Sequence, residues 1–298
     1  MFIDKAVITR IESLRGDVMV IRRFGAALLC VILLGFLLPA LAQEQAKVEK
    51  IAQFTDAKGD DVGGGNLLYP EHAVYVPGLF DLVRFEVSRD EHYVYFDFQF
   101  LALTNPFQAP EGYFHQRLEV YIKTGEGVGC TAIHLGSYKL QTAPDAGWNL
   151  RLSIAPFDES RLYVVGQDSQ VQVFTEEVSS HSLPEGQTIR VQVKSDVLPQ
   201  PDSAWGYYVL VGSFDGLAEG LWRDLGDGPW QVGGTGTPVF DLLSPRFGGK
   251  SQKAQLTKGI LYPVYGGKNY VGIWVVGVVI MAWVCGAFCL WRWRHGRP

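Results

Sequence analysis

The sequence predicts an all-β domain, an antiparallel β-sandwich, followed by one C-terminal transmembrane helix. Three observations carry this reading. Between about residues 47 and 245 the apolar residues repeat with period 2 and not 3.6. The apolar runs there are short and separated by Gly, Pro, Asn and Asp clusters, the punctuation of strands and turns. An apolar segment of a different kind stands at each end of the chain.

The first segment opens the chain. Arg22-Arg23 precede an apolar run, Phe24 to Leu38, closed by Pro39-Ala40-Leu41-Ala42. That is the layout of a secretory signal, so residues 1–42 are expected to be a signal peptide region. Asp4, Glu12 and Asp17 dilute the charge of its start, and translation from Met19 would give a more compact signal.

The strands follow in order. Phe80 to Val87 is an apolar-rich run, and His92 to Leu101 is dense in aromatic and β-branched residues. Leu118 to Lys123 alternates strictly. Trp148 to Ile154, Leu162 to Val165 and Val171 to Phe174 are shorter candidates. Thr188 to Lys194 alternates again, and Trp205 to Val211 reads as a buried strand. About eight to ten strands with no amphipathic helix argue for a sandwich over residues 47–245.

Residues 246–269 contain Gly248-Gly249-Lys250 and little periodicity, and read as a juxtamembrane stalk. Val271 to Trp291 is then 21 residues without a formal charge. At about 1.5 Å per residue it reaches roughly 30 Å, the thickness of the hydrocarbon core of a bilayer. Tyr270 and Trp291 stand where interfacial aromatics sit, and Arg292, Arg294 and Arg297 mark the cytoplasmic side. The expected topology is single-pass in the cell membrane. The span is 270–292, the domain is extracytoplasmic, and residues 293–298 form a short cytoplasmic tail.

Charge and cysteine content narrow the function. From Gln43 to Asn269 there are 18 Lys and Arg against 28 Asp and Glu, a net charge of about −10. Such a surface repels phosphate backbones and argues against nucleic acid as a partner. Cys130 is the one cysteine in that stretch, so no disulfide within the domain is expected. His72, His92, His115, His134 and His181 each stand alone, and no Gly-x-Ser-x-Gly, His-Glu-x-x-His or P-loop motif occurs. An enzyme is not expected.

The sharpest local cluster is Asp56-x-x-Gly59-Asp60-Asp61-x-Gly63-Gly64-Gly65. Hard cations such as Ca²⁺ take six to eight oxygens, and a glycine-rich bend lets carboxylates and carbonyls converge. Asp56, Asp60 and Asp61 are therefore candidate calcium ligands, with Asp81 and Asp241 able to complete the site from elsewhere. An acidic turn satisfying local N–H groups is the alternative.

The stretch from Asp56 to about Leu243 resembles the C-terminal domain family of glucodextranase, a DOMON-like sandwich related to the family 9 carbohydrate-binding modules. The aspartate-glycine cluster with Tyr69-Pro70 carries the resemblance, which continues through Val76-Pro77-Gly78-Leu79-Phe80-Asp81-Leu82-Val83-Arg84-Phe85-Glu86-Val87. Asn105-Pro106-Phe107, Gly112-Tyr113, Gln116 and Val120-Tyr121-Ile122 come next. Trp205-x-Tyr207-x-Val209, Ser213-x-Asp215-Gly216, Trp230-x-x-Gly233-Gly234 and Pro238-Val239-x-Asp241-Leu242-Leu243 close it. Phe107 stands where the pattern leads one to expect Trp. The resemblance implies a non-catalytic module that binds polysaccharide or accompanies a glycoside hydrolase, and it supports calcium as a structural cofactor.

A sugar ring stacks on a flat aromatic face while polar groups bind its hydroxyls. Trp222, Trp230, Tyr113 and Phe107 are the candidate platforms, and Arg223 and Asp224 the candidate hydroxyl partners. The expected function is a membrane-anchored, calcium-stabilised carbohydrate-binding module. One alternative is a cell-envelope scaffold without a small ligand. A lesser one is a haem-binding electron-transfer sandwich, for which Met–His ligation is excluded because Met1, Met19 and Met281 all lie outside the domain.

Overall fold

Alternating apolar residues become one-sided strands wherever a single face is covered, and the chain follows this rule from residue 49 onward. The computed structural model describes residues 47–125, 129–166, 168–245 and 250–266. All of these but Lys47 lie in one compact unit that begins at Val48. The expected signal region 1–42, the span 270–292 and the tail 293–298 lie outside the described residues. Among the described residues no helix is long and apolar enough to cross a membrane.

The first strands are β1 (Glu49–Thr55), β2 (Leu67–Leu68), β3 (Leu82–Arg89), β4 (Tyr93–Phe100) and β5 (Gln116–Lys123). Next come β6 (Ala132–Leu135), β7 (Tyr138–Thr142), β8 (Leu150–Ile154), β9 (Arg161–Val165) and β10 (Val171–Phe174). They are followed by β11 (Val178–Ser182), β12 (Thr188–Lys194), β13 (Gly206–Ser213), β14 (Gly233–Gly234) and β15 (Asp241–Leu242). One short helix, α1 (Gln252–Lys258), precedes β16 (Ile260–Leu261) and β17 (Val264–Tyr265).

The fold is mostly β, with two large antiparallel sheets and no closed barrel. The first sheet runs β1-β3-β4-β12-β11 and the second β10-β9-β8-β5-β13-β15, with β17 also pairing with β13. All eight expected strands are present. Four others were not expected, β1, β6, β7 and β11; β1, β7 and β11 are rich in polar residues, and β6 is only four residues long. The Val178–Ser182 strand, for example, pairs on one side only and buries Val178 alone.

One apolar cluster joins the two sheets. Phe85, Phe96, Phe98 and Val191 of the first meet Val120, Leu152 and Val209 of the second. Tyr207 on β13 places its ring 5.4 Å from Phe85 and 5.8 Å from Phe54, so the sheets touch through aromatic edges. In β4 and β12 every second residue is buried, as expected of strands covered on one face.

β13 is different, because all eight of its residues are buried. Its outer face is covered by a second cluster, in which Tyr208 and Leu210 pack with Trp222, Leu256 and Leu261. This double coverage accounts for the uninterrupted apolar run in its sequence.

The described part of the expected stalk does not hang free. Residues 250–266 form α1, β16 and β17 and pack on the second sheet, with Leu256 and Leu261 in the outer cluster. Ser251 caps the start of α1 through its side chain, and Gly259 ends it in the left-handed conformation at φ 68°. The segment reads as polar because its buried anchors are glutamines. Gln252 Nε2 donates to the carbonyls of Asp60 and Gly63, and its Oε1 accepts from Leu242 N–H at 2.6 Å. Gln255 spans Lys250 and Tyr262 in the same manner.

Gly212 is required where the outer cluster meets β13, since a Cβ there would overlap the Trp222 indole. Gly212→Ala is therefore expected to cost about 1–3 kcal/mol by overpacking, read as a lower urea midpoint with an unchanged m-value.

Candidate functional site

The glycine-rich loop after β1 turns back on the domain, and this carries Asp60 toward two aspartates distant in sequence. Asp81 immediately precedes β3 and Asp241 opens β15. Asp60, Asp81 and Asp241 each offer one carboxylate oxygen, and these oxygens all lie within 4.8 Å of one another. The second oxygens of the two buried members are taken by backbone. Asp81 Oδ2 accepts from Gly59 N–H at 2.6 Å, and Asp241 Oδ2 from Leu82 N–H at 2.7 Å. The Oδ1 atoms of Asp60, Asp81 and Asp241 are buried without a protein partner.

Three orphaned oxygens converging in a buried place suit a hard cation, and an all-oxygen set suits calcium or magnesium better than a soft metal. The electrostatics point the same way. Burial raises the Asp241 carboxyl well above its ordinary range, and the Asp56 and Asp60 charges add to this. Burial also raises Asp60 and Asp81, with the neighbouring carboxylates contributing. Without a counter-charge these groups oppose ionisation together.

Asp56 and Asp61 serve the loop instead. Asp56 accepts from Ala57 N–H at 2.9 Å and from Ser244 N–H at 3.0 Å, and burial pushes its pKa up to about 7. Asp61 accepts from the Tyr69 hydroxyl, which in turn accepts from Phe80 N–H.

The aromatic candidates divide sharply. Trp222 is only 1% exposed, and its indole N–H donates to Pro238 O at 2.9 Å. Tyr113 is fully buried, with its hydroxyl 2.8 Å from Ser180 Oγ. Neither can offer a ring face to a ligand, so both are removed as platforms. Gly212 explains Trp222, because the missing side chain leaves room for the indole over β13.

Trp230 and Phe107 remain, 36% and 47% exposed, with ring centroids 6.2 Å apart. His72 stacks on Trp230 at 3.8 Å and steadies the indole. Arg223 is not a hydroxyl partner, because its guanidinium is already engaged. It donates to Ser213 Oγ, to Trp230 O and to Phe214 O, and it pairs with Asp215 at 2.9 Å. Its work is to hold the Trp230 loop against the end of β13. Asp224 is exposed on the same loop.

Sequence reasoning passed over His72, Phe114 and Phe157. A signal for one of them existed. Pro156-Phe157 repeats the Pro106-Phe107 pattern in another inter-strand loop, and both phenylalanines are exposed.

Beneath this aromatic end lies His115, fully buried with neither ring nitrogen partnered, between Tyr75 and Phe114. Burial, and then the Arg223 charge, lower its pKa to about 4. The unfolded chain takes up the proton near pH 6.5, so His115 contributes full stability above that pH and loses it as pH falls toward 4. Between pH 7 and pH 5 the loss is on the order of 1–2 kcal/mol. Urea melts at the two values should show a smaller drop for His115→Leu than for the wild type.

A search of curated proteins finds no match. One family model, described as the C-terminal binding-module, SLH-like, of glucodextranase, matches residues 51–262. The match takes in the aspartate trio, the aromatic end and, beyond residue 245, α1 and β16. The chain belongs to the family of the SLH-like C-terminal binding module of glucodextranase.

Proposed function

We propose that this chain is a non-catalytic carbohydrate-binding module, a calcium-stabilised β-sandwich tethered outside the cell by the apolar segment at 270–292. The observation that carries the sugar reading is the exposed Trp230–Phe107 pair, two rings from different loops, with Trp230 braced by His72 and Arg223. Membership of a binding-module family named for a glycan-degrading enzyme supports it. A rigid aromatic face held at the surface is costly to leave in water, and this speaks for a ligand that stacks on it. The burial of Trp222 favours the scaffold reading, but it removes only one of the two indoles on that loop.

Calcium is supported by the three orphaned aspartate oxygens and the all-oxygen donor set. In this reading Asp60, Asp81 and Asp241 hold the ion. It would supply the positive charge that lets three neighbouring carboxylates ionise together, and it would join the loop after β1 to the starts of β3 and β15. A partner glycoside hydrolase, with the bilayer as the site of attachment, completes the proposal.

Two measurements test it. Calorimetric melts with calcium and with chelator should differ, because a ligand bound only by the native state stabilises it, by about 2.7 kcal/mol at a hundredfold excess over Kd, and so raises the melting point. Asp241→Asn should erase that rise while leaving the chelated protein at least as stable, since it removes a buried like charge. An unchanged calcium shift in this variant would reject the trio as the site. In titrations with a panel of α- and β-glucans, Trp230→Ala is expected to lose about tenfold or more in affinity for the glucan that binds. Full retention would reject the platform.

A further inference from the structure

We infer that the ligand-binding face extends beyond Trp230 and Phe107 to Phe157, and that it takes an extended run of sugar residues and not a single chain end. The inference rests on the carbohydrate reading and deepens it. Trp230, Phe107, Phe114 and Phe157 form a continuous strip in which each ring centroid lies within 6.2 Å of the next. Three of the four rings are substantially exposed, Phe157 at 43%. A pyranose ring is about as wide as a phenyl ring, so a strip with three exposed rings is longer than one sugar.

The far end of the strip is built under strain. Phe157 and Asp158 are consecutive non-glycine residues in the left-handed region, at φ 62° and 59°. A bulky residue seldom adopts that conformation unless its surroundings enforce it, and such outliers gather at functional sites. Here the enforcement is visible. The Glu111 carboxylate accepts from Phe157 N–H at 3.0 Å and from Asp158 N–H at 2.7 Å. Glu111 belongs to the same loop as Phe107, and Gln108 beside it is a third left-handed residue, at φ 55°. One carboxylate thus ties the two loops that bear the two Pro-Phe pairs, and it fixes the spacing of their rings.

The chemistry around the strip favours a neutral, hydroxyl-rich occupant. The rings are tilted, by 47° between Trp230 and Phe107 and 79° between Phe114 and Phe157, so they present separate faces and not one flat apolar patch. Asp158, next to Phe157, and Asp224, on the Trp230 loop, are exposed carboxylates able to accept from hydroxyls and to repel anionic polymers. Beneath it, His115 lies fully buried between Tyr75 and Phe114 with neither ring nitrogen partnered, and Gln116 Oε1 next in sequence is likewise buried without a partner.

The test is calorimetric titration of the purified full-length chain with α- and β-linked gluco-oligosaccharides, from glucose through the heptasaccharide. Affinity is expected to rise with chain length. Phe157→Ala should remove about tenfold from the longest ligands and leave the shortest unchanged, Phe157→Tyr should restore the gain, and Trp230→Ala should weaken every length. Binding that is independent of length, or a length dependence that Phe157→Ala does not alter, would overturn the extended strip and leave the carbohydrate reading standing. No binding at any length would overturn both. If light scattering then showed a dimer that Phe157→Asp dissolves, the strip would belong to a second copy of the chain.

Discussion

Three buried carboxylates and a fourth that is half-buried, all within one small region, are the constraint around which the rest of the domain is arranged. Burying ionised groups together is expensive, and the cost falls only if each oxygen finds a donor or a cation. Asp56, Asp81 and Asp241 spend oxygens on backbone N–H groups of Ser244, Gly59 and Leu82, and this joins segments far apart in sequence. Gln252 then binds the carbonyls of Asp60 and Gly63, so α1 is fastened to the same loop. The first sheet, the second sheet and the C-terminal helix are thereby held at one point, where the remaining aspartate oxygens meet.

The second dependency runs through β13. A strand covered on both faces must have a second layer, and α1, β16 and the Trp222 indole provide it. At its far end Ser213 and Asp215 engage Arg223, whose other donors reach the carbonyls of Phe214 and Trp230. The buried strand therefore sets the position of the exposed indole through one guanidinium. Arg223 is a positioning residue whose planar fork suits several acceptors at once. The aspartate trio and the aromatic face are distinct places in the molecule, one internal and one on the rim.

Legibility in the sequence followed burial. Strands with one covered face announced themselves by alternation, as in Tyr93–Phe100 and Thr188–Lys194, and the doubly covered Gly206–Ser213 by a continuous apolar run. β1 and β11 did not, because they pair along one side only and carry polar residues. Residues 250–266 look like part of a stalk in sequence because their anchors are Gln252 and Gln255. Those side chains are buried for the backbone groups they satisfy and not for apolar area, and composition does not reveal that.

What the sequence determined by itself was the β class, the eight principal strands, the acidic character of the domain and the set of aspartates and aromatics that could bear a site. These follow from local periodicity and composition, which any window of the chain displays. What only the tertiary structure decided was the sorting within each set. Trp222 and Trp230 occupy similar glycine-rich surroundings in sequence, yet one fills the space left by Gly212 and the other faces water. Asp60 and Asp61 are neighbours, yet one turns an unpartnered oxygen toward Asp81 and Asp241 and the other is held by Tyr69. In both pairs the deciding contact comes from elsewhere in the chain, and a contact of that kind exists only once the sheets have closed.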